Sequence, residues 1–220
     1  FDKKQDAYNK KYSKFDVVKS NGNILIKNKS DLIFSYNNNL NIEISTKDLI
    51  GYNGKKYRGN FLFKRFQNSD LTVINKLPLD KYLYGVLPNE MPADWDIEAL
   101  KAQAVAARNY ILCNIGRFSK YGFDVTDNII SQVYNGYDVE TKLTNLAVDK
   151  TKDVYLKTKD DKLVIAYYHS NSGGHTENAE NVWSSSLSYL KAVEDNFSEN
   201  VHNSNWEKTY LKSDISKILA

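Results

Sequence analysis

A single cysteine, Cys113, excludes an internal disulfide and a multi-cysteine metal site. Its setting, Asn109-Tyr110-Ile111-Leu112-Cys113, reads as helix, so it is expected as a small core residue. No hydrophobic run approaches the length of a membrane span. Histidine is scarce: His169 and His175 stand six apart on an expected loop, and His202 is the only other, a poor basis for a metal site. Arginine is rare, since only Arg58, Arg65, Arg108 and Arg117 among the 30 basic residues are not lysine. The net charge of +3 is too small and too spread to argue for nucleic acid, though mildly favourable beside an anionic polymer. The chain opens on Phe1 rather than Met, and a removed segment, signal or anchor, is expected ahead of it.

What is present describes a folded protein. A length of 220 residues suffices for one substantial core, and 41% hydrophobic with 13% aromatic content excludes a disordered tail. The 16 tyrosines offer rings with a polar edge, suited to grooves that hold polar ring-shaped ligands, or equally to half-buried strands.

Residues 1–20, rich in lysine, read as an arm or short helix leading into the domain. From 22 to 77 short β-branched and aromatic runs alternate with turn signals such as Asn53-Gly54, which predicts an antiparallel meander. Asp80 is expected to cap a short helix over 81–87. Pro88 and Pro92 then bracket Glu90, and Met91, preceding Pro92, should be extended. A long helix follows from about 97 to 117, capped by Asp94 or Asp96, with Leu100, Ala104, Ala107 and Ile111 as its core stripe. Residues 118–137 look like loop. A helix is expected near 138–149, strands near 153–158 and 162–169, and a terminal helix from about 213. No internal repeat is visible. The fold class is α+β: a single mixed domain over 21–220, β-rich at first, with a central Ala-rich helix and a second α+β part.

Glu90 is the leading candidate for chemistry. Leu87, Met91 and Trp95 would keep water from its carboxyl, favour the protonated form and make it a proton donor near neutral pH. A surface glutamate between two prolines would need no such role. Asp94 and Asp96 are available as a second carboxylate, although helix capping explains them better. Arg108, beside the core stripe, needs a carboxylate or ligand partner unless it snorkels to the surface. In His169-Ser170-Asn171-Ser172-Gly173-Gly174-His175 two glycines would let backbone N–H groups approach a ligand. A nucleophilic Ser/His site there lacks the usual elbow signature. Gln132-Val133-Tyr134-Asn135-Gly136 is a polar patch suited to sugar hydroxyls, or an ordinary turn.

Taken together, these segments resemble one family. Leu79-Asp80-Lys81-Tyr82-Leu83-Tyr84-Gly85-Val86-Leu87-Pro88-Asn89-Glu90-Met91-Pro92 is similar to the opening motif of the SpoIID/LytB domain. Glu98-Ala99-Leu100-Lys101-Ala102-Gln103-Ala104-Val105-Ala106-Ala107-Arg108 follows at the family spacing. Gln132-Val133-Tyr134-Asn135-Gly136 and His169-Ser170-Asn171-Ser172-Gly173-Gly174 match two later motifs in order, so the resemblance covers about 70–210.

The resemblance implies a lytic transglycosylase of sporulation engulfment. Such an enzyme cleaves the MurNAc–GlcNAc bond of peptide-stripped glycan and leaves a 1,6-anhydro end. It places the family's catalytic glutamate at Glu90 and its activity-linked arginine at Arg108, and a later lysine at Lys208, within Trp206-Glu207-Lys208. Gln132, Tyr134, Ser172 and Gly173 become substrate-binding residues on the same basis. It further implies a partner amidase, SpoIIP, a membrane-held engulfment complex, and a position outside the cytoplasm facing the wall between mother cell and forespore. Some clostridial members carry a Cys and a His near the third motif and bind zinc there. This chain has Asp127-Asn128-Ile129-Ile130-Ser131-Gln132 instead, so no metal and no cofactor is expected.

Two alternatives stand beside the lytic enzyme. LytB-branch relatives are amidase enhancers, which bind wall or amidase without cutting glycan. A hydrolytic muramidase would use Asp94 or Asp96 as its second carboxylate.

Overall fold

The computed structural model describes residues 14–21, 23–37, 41–65, 71–183, 185–198 and 207–218. Most of the expected arm (1–13), His202 and Trp206 lie outside them. The chain divides into two compact units, residues 1–156 and 157–220, and the architecture is α+β. Among the described residues, no helix is long and apolar enough to cross a membrane.

Among the described residues, eight strands form three small antiparallel sheets. The first is β1 (Asp16–Ser20), β2 (Asn23–Asn28) and β3 (Asp31–Asn37). Residues 16–20, read as arm from their lysines, therefore pair as an edge strand, with Val17 opposite Ile26. The second sheet sets β7 (Asn60–Arg65) between β4 (Ile42–Ile44) and β8 (Leu71–Lys76). Its period of two turns Phe61 and Phe63 inward, where they pack with Ile24 and Ile42 in one cluster. The third is a hairpin, β5 (Ile50–Tyr52) and β6 (Lys55–Tyr57). Asn53 and Gly54 turn it with φ of 47° and 77°, the two positive angles a tight hairpin turn of this hand requires.

The helical half of this unit has its own core, formed by α1 (Leu79–Glu90), α2 (Ile97–Asn114) and α3 (Lys142–Lys150). Several details differ from expectation. Helix α1 begins behind Pro78 without a side-chain cap, so Asp80 lies in its first turn. It also runs through Pro88, whose missing N–H forfeits a single bond near the helix end, and Glu90 is its last residue. Helix α2 stops at Asn114, and Cys113 is exposed rather than core. Other expectations hold: Met91 is extended at φ −147°, ψ 141°, and Asp96 caps α2 by accepting from the Glu98 N–H at 2.8 Å. Leu100, Ala104, Ala107 and Ile111 are all buried. Thr141 and Thr144 form a capping box that starts α3 four residues later than composition suggests.

The expected loop over 118–137 contains one short 3-10 turn, Ser119–Tyr121. In the second unit, the predicted strands reduce to one bridge, Lys157 with Leu163. Its described residues also include two short helices, α4 (Ala179–Trp183), which composition did not signal, and α5 (Lys212–Ile218).

Candidate active site

Helix α1 is buried over Tyr82, Leu83, Tyr84, Gly85, Val86 and Leu87, and each side meets a different partner. Tyr82, Gly85 and Asn89 share the side that meets the third motif. Leu83 and Leu87 belong to the core that also contains Leu100 and Ala104 of α2. Glu90 stands seven residues after Leu83 and three after Leu87, so it continues this α2-facing row where the helix ends, and it is half-buried. Met91 packs half-buried on the same core, while Trp95 stays 51% exposed. The carboxyl thus sits where apolar core gives way to solvent.

Neighbouring polar side chains are tied down. Asn89 Nδ2 donates to Gly85 O at 2.7 Å and to Val133 O at 3.4 Å. Asn135 Nδ2 donates to Asn89 Oδ1 at 2.7 Å, and Lys55 Nζ donates to Asn135 Oδ1 at 2.9 Å. This chain of donors fixes the residue before Glu90 and brings a cation from the β5–β6 hairpin to the helix end. The sequence reading missed it, because Lys55 and Asn135 are 80 residues apart. Asp96 spends an oxygen on its cap, and Asp94 is exposed.

The third motif is interior. Gln132 is 2% exposed, accepts from Tyr82 Oη at 3.3 Å and donates to Ala107 O at 3.3 Å, bridging α1 and α2. Tyr134 is 7% exposed, stacks on Tyr82 with ring centroids 5.2 Å apart, and donates to Asn75 Oδ1 at 3.0 Å. Burial, more than its charged neighbours, pushes the Tyr134 phenol well above its ordinary value, so it remains a neutral donor. The two glycines of this contact are required. A Cβ on Gly85 would stand 2.5 Å from the Tyr134 ring, and one on Gly136 would stand 2.5 Å from Lys56 O. As placed, Gln132 and Tyr134 support the wall behind the site.

Arg108 is 1% exposed. It donates to Val148 O at 3.2 Å and Thr151 Oγ1 at 3.4 Å, and meets Asp80 Oδ1 at 3.5 Å. Its Nε, also buried, has no partner. Asp80 and Glu90 are ten residues apart on one helix, so the two ends lie ~15 Å apart by helical rise. Arg108 accordingly clamps α2 to α3 and to the start of α1, at the opposite end of α1 from Glu90.

In the second unit, Ser172 Oγ donates to Asp195 Oδ2 at 2.6 Å and also contacts Ser198 Oγ. Gly174 N donates to Ser172 Oγ at 3.2 Å, and Gly173 N to Asn171 Oδ1 at 2.6 Å. Hydrogen bonds from Ser172, then Ser198 and the Phe197 N–H, hold the Asp195 carboxyl below its usual range. Asp195, unmarked in the sequence, organises this loop. Lys208 is exposed, its Nζ 5.2 Å from the Tyr210 ring centroid. Among the described residues, no group of three or more His, Cys, Asp or Glu side chains comes together.

Residues 67–157 match the family model for SpoIID, described as Stage II sporulation protein. An uncharacterised protein of Brachyspira hyodysenteriae is 40% identical over 153 residues, covering 69% of this chain and 41% of its own length. The amidase enhancer of Bacillus subtilis is 41% identical over 167 residues, 74% of this chain and 23% of its own. Stage II sporulation protein D of Bacillus subtilis is 38% identical over 135 residues, 54% of this chain and 39% of its own. The chain thus spans less than half of each of these relatives. Ser172, Gly173 and Lys208 fall beyond the matched segment. Residues 67–157, the segment that matches the SpoIID family model, carry Glu90, Arg108, Gln132 and Tyr134.

Proposed function

We propose that this chain acts on bacterial cell wall in sporulation and cuts peptide-stripped glycan strands by lytic transglycosylation, with Glu90 as the single proton-transferring group. The observation that carries the reading is the position of Glu90: half-buried, last in α1, above the Leu83–Leu87 row, with its neighbour Asn89 fixed through Gly85, Val133 and Asn135. A helix C-terminus disfavours negative charge, so a carboxyl there is suited to hold a proton until a glycosidic oxygen takes it.

The reaction then needs one residue twice. Glu90 protonates the bridging oxygen as the bond from MurNAc C1 breaks. Its carboxylate next removes the proton of the C6 hydroxyl while that oxygen bonds to C1. No water is consumed, and Glu90 ends protonated. Asp96 is engaged as a cap and Asp94 lies in solvent, which favours this scheme over hydrolysis by two carboxylates. Lys55, at the end of the Asn135–Asn89 chain, adds a cation suited to an anionic glycan. Arg108, Gln132 and Tyr134 position the helices that carry Glu90. Ser172, Gly173 and Lys208 are assigned to glycan binding through the family resemblance. An amidase of the SpoIIP kind, in a membrane-held complex outside the cytoplasm, would supply the stripped strands.

A second reading is an amidase enhancer that binds wall without cutting it, favoured by the relative of that name, whose match covers 74% of this chain. Mass spectrometry of amidase-treated peptidoglycan separates the two. The enzyme yields 1,6-anhydro ends that Glu90→Ala abolishes. An enhancer yields none.

A further inference from the structure

Gln103 is a buried amide with no evident structural duty. It is 9% exposed, and its Nε2 is buried without a hydrogen-bond partner. A buried polar nitrogen left open forfeits its hydration without return, so such a group in a close-packed helix seam calls for a reason. Its position supplies one.

Helices α1 and α2 are joined by a six-residue connection and run antiparallel. Gln132 links Tyr82 to Ala107, and Arg108 meets Asp80, so residues near 80–82 lie opposite residues near 107–108. Counting back along both helices sets Glu90 opposite residues 97–99. Gln103 then lies roughly 6–9 Å further along the axis at 1.5 Å per residue. Side chains lean toward the N-terminus of their own helix. In an antiparallel pair this inclines Glu90 and Gln103 toward each other.

The faces agree. On α2, Arg108 marks the edge of the buried stripe that meets α3, and Gln103 lies on the opposite edge of the same stripe. On α1, Tyr84 marks the α3 side through its bond to Asp149, and Glu90 lies on the side between Leu87 and the third-motif face of Gly85 and Asn89. Both therefore occupy the flank of the α1–α2 seam away from α3.

We propose that Gln103 is a positioning residue for Glu90, an inference that rests on the acid–base role of Glu90. Its open amide N–H takes up the Glu90 carboxylate after that group has given its proton to the leaving oxygen, and aims it at the C6 hydroxyl. Catalytic hydrogen bonds of this kind tighten in the complex with substrate.

The test compares the full chain with Gln103→Leu and Glu90→Gln on soluble, peptide-stripped glycan strands, with thermal unfolding measured alongside. Gln103→Leu keeps the volume and removes the open amide. The expected result is an unfolding midpoint unchanged or raised, KM unchanged, and kcat lowered at least ~10-fold. Normal kcat in Gln103→Leu, with Glu90→Gln inactive, overturns the role of Gln103 and leaves Glu90 standing. A lowered midpoint in Gln103→Leu also overturns it, since the amide would then be structural. Full activity in Glu90→Gln overturns the Glu90 reading and this inference with it.

Discussion

The third motif, inside the segment that matches the family model, and the Ser170–Gly174 loop beyond it do opposite physical work. Gln132-Val133-Tyr134-Asn135-Gly136 is drawn into the first unit, with Tyr134 between Gly85, Tyr82 and Asn75. Ser170-Asn171-Ser172-Gly173-Gly174 stays at the surface of the second unit, and its order comes from hydroxyl and amide bonds ending on Asp195. The first is a packing solution and the second an exposed polar scaffold. Substitutions in the first should be read in stability, and those in the second in local order and binding.

The largest expected effect is at Tyr134. Tyr134→Ala empties a ring-sized space against Gly85 and removes a buried hydrogen bond, so stability should fall by about 3–5 kcal/mol. Denaturant unfolding reads this, and a loss below ~1 kcal/mol would mean that the motif is not interior. Arg108→Ala should come next, at about 2–4 kcal/mol from lost packing and bonds to Val148 and Thr151. The same variant should leave the KM of the remaining folded enzyme near normal, whereas a direct glycan ligand would raise it. Gly85→Ala should cost about 1–2 kcal/mol, because the clash with Tyr134 outweighs the better helix propensity of alanine.

The second unit should answer to pH instead. The Asp195 carboxyl is held below its usual range, so its contribution is present above the ordinary carboxylate pKa and is lost as pH falls through the depressed value. The hydrogen-exchange protection factor of Gly174, corrected for the intrinsic pH dependence of exchange, should therefore fall in acid while the α1–α2 core stays protected. Asp195→Asn should produce the same local loosening at neutral pH. The smallest effect belongs to exposed Cys113: Cys113→Ser should change stability by under ~0.5 kcal/mol.

Periodicity carried much of the fold. The alternation of Phe61 and Phe63, the Leu100–Ile111 stripe and the cap at Asp96 are all local patterns, and all are seen. Failures came where a distant partner overrides local preference. Val17 and its neighbours pair with β2 despite a lysine-rich context, and Pro88 is tolerated inside α1 so close to the helix end. Glu90 was legible as an odd carboxyl in a proline-bracketed stretch. The Lys55–Asn135–Asn89 chain was not, because its members meet only after the hairpin folds against residues 135–138. Asp195 was silent for the same reason, being 23 residues from the serine it holds.

The most direct test of the account is the product analysis of Glu90→Gln, a substitution that keeps shape and removes the proton. Amidase-treated glycan incubated with the unchanged chain should release fragments ending in 1,6-anhydro-MurNAc, and Glu90→Gln should release none while still binding the strands. Anhydro fragments released at the normal rate by Glu90→Gln would contradict it.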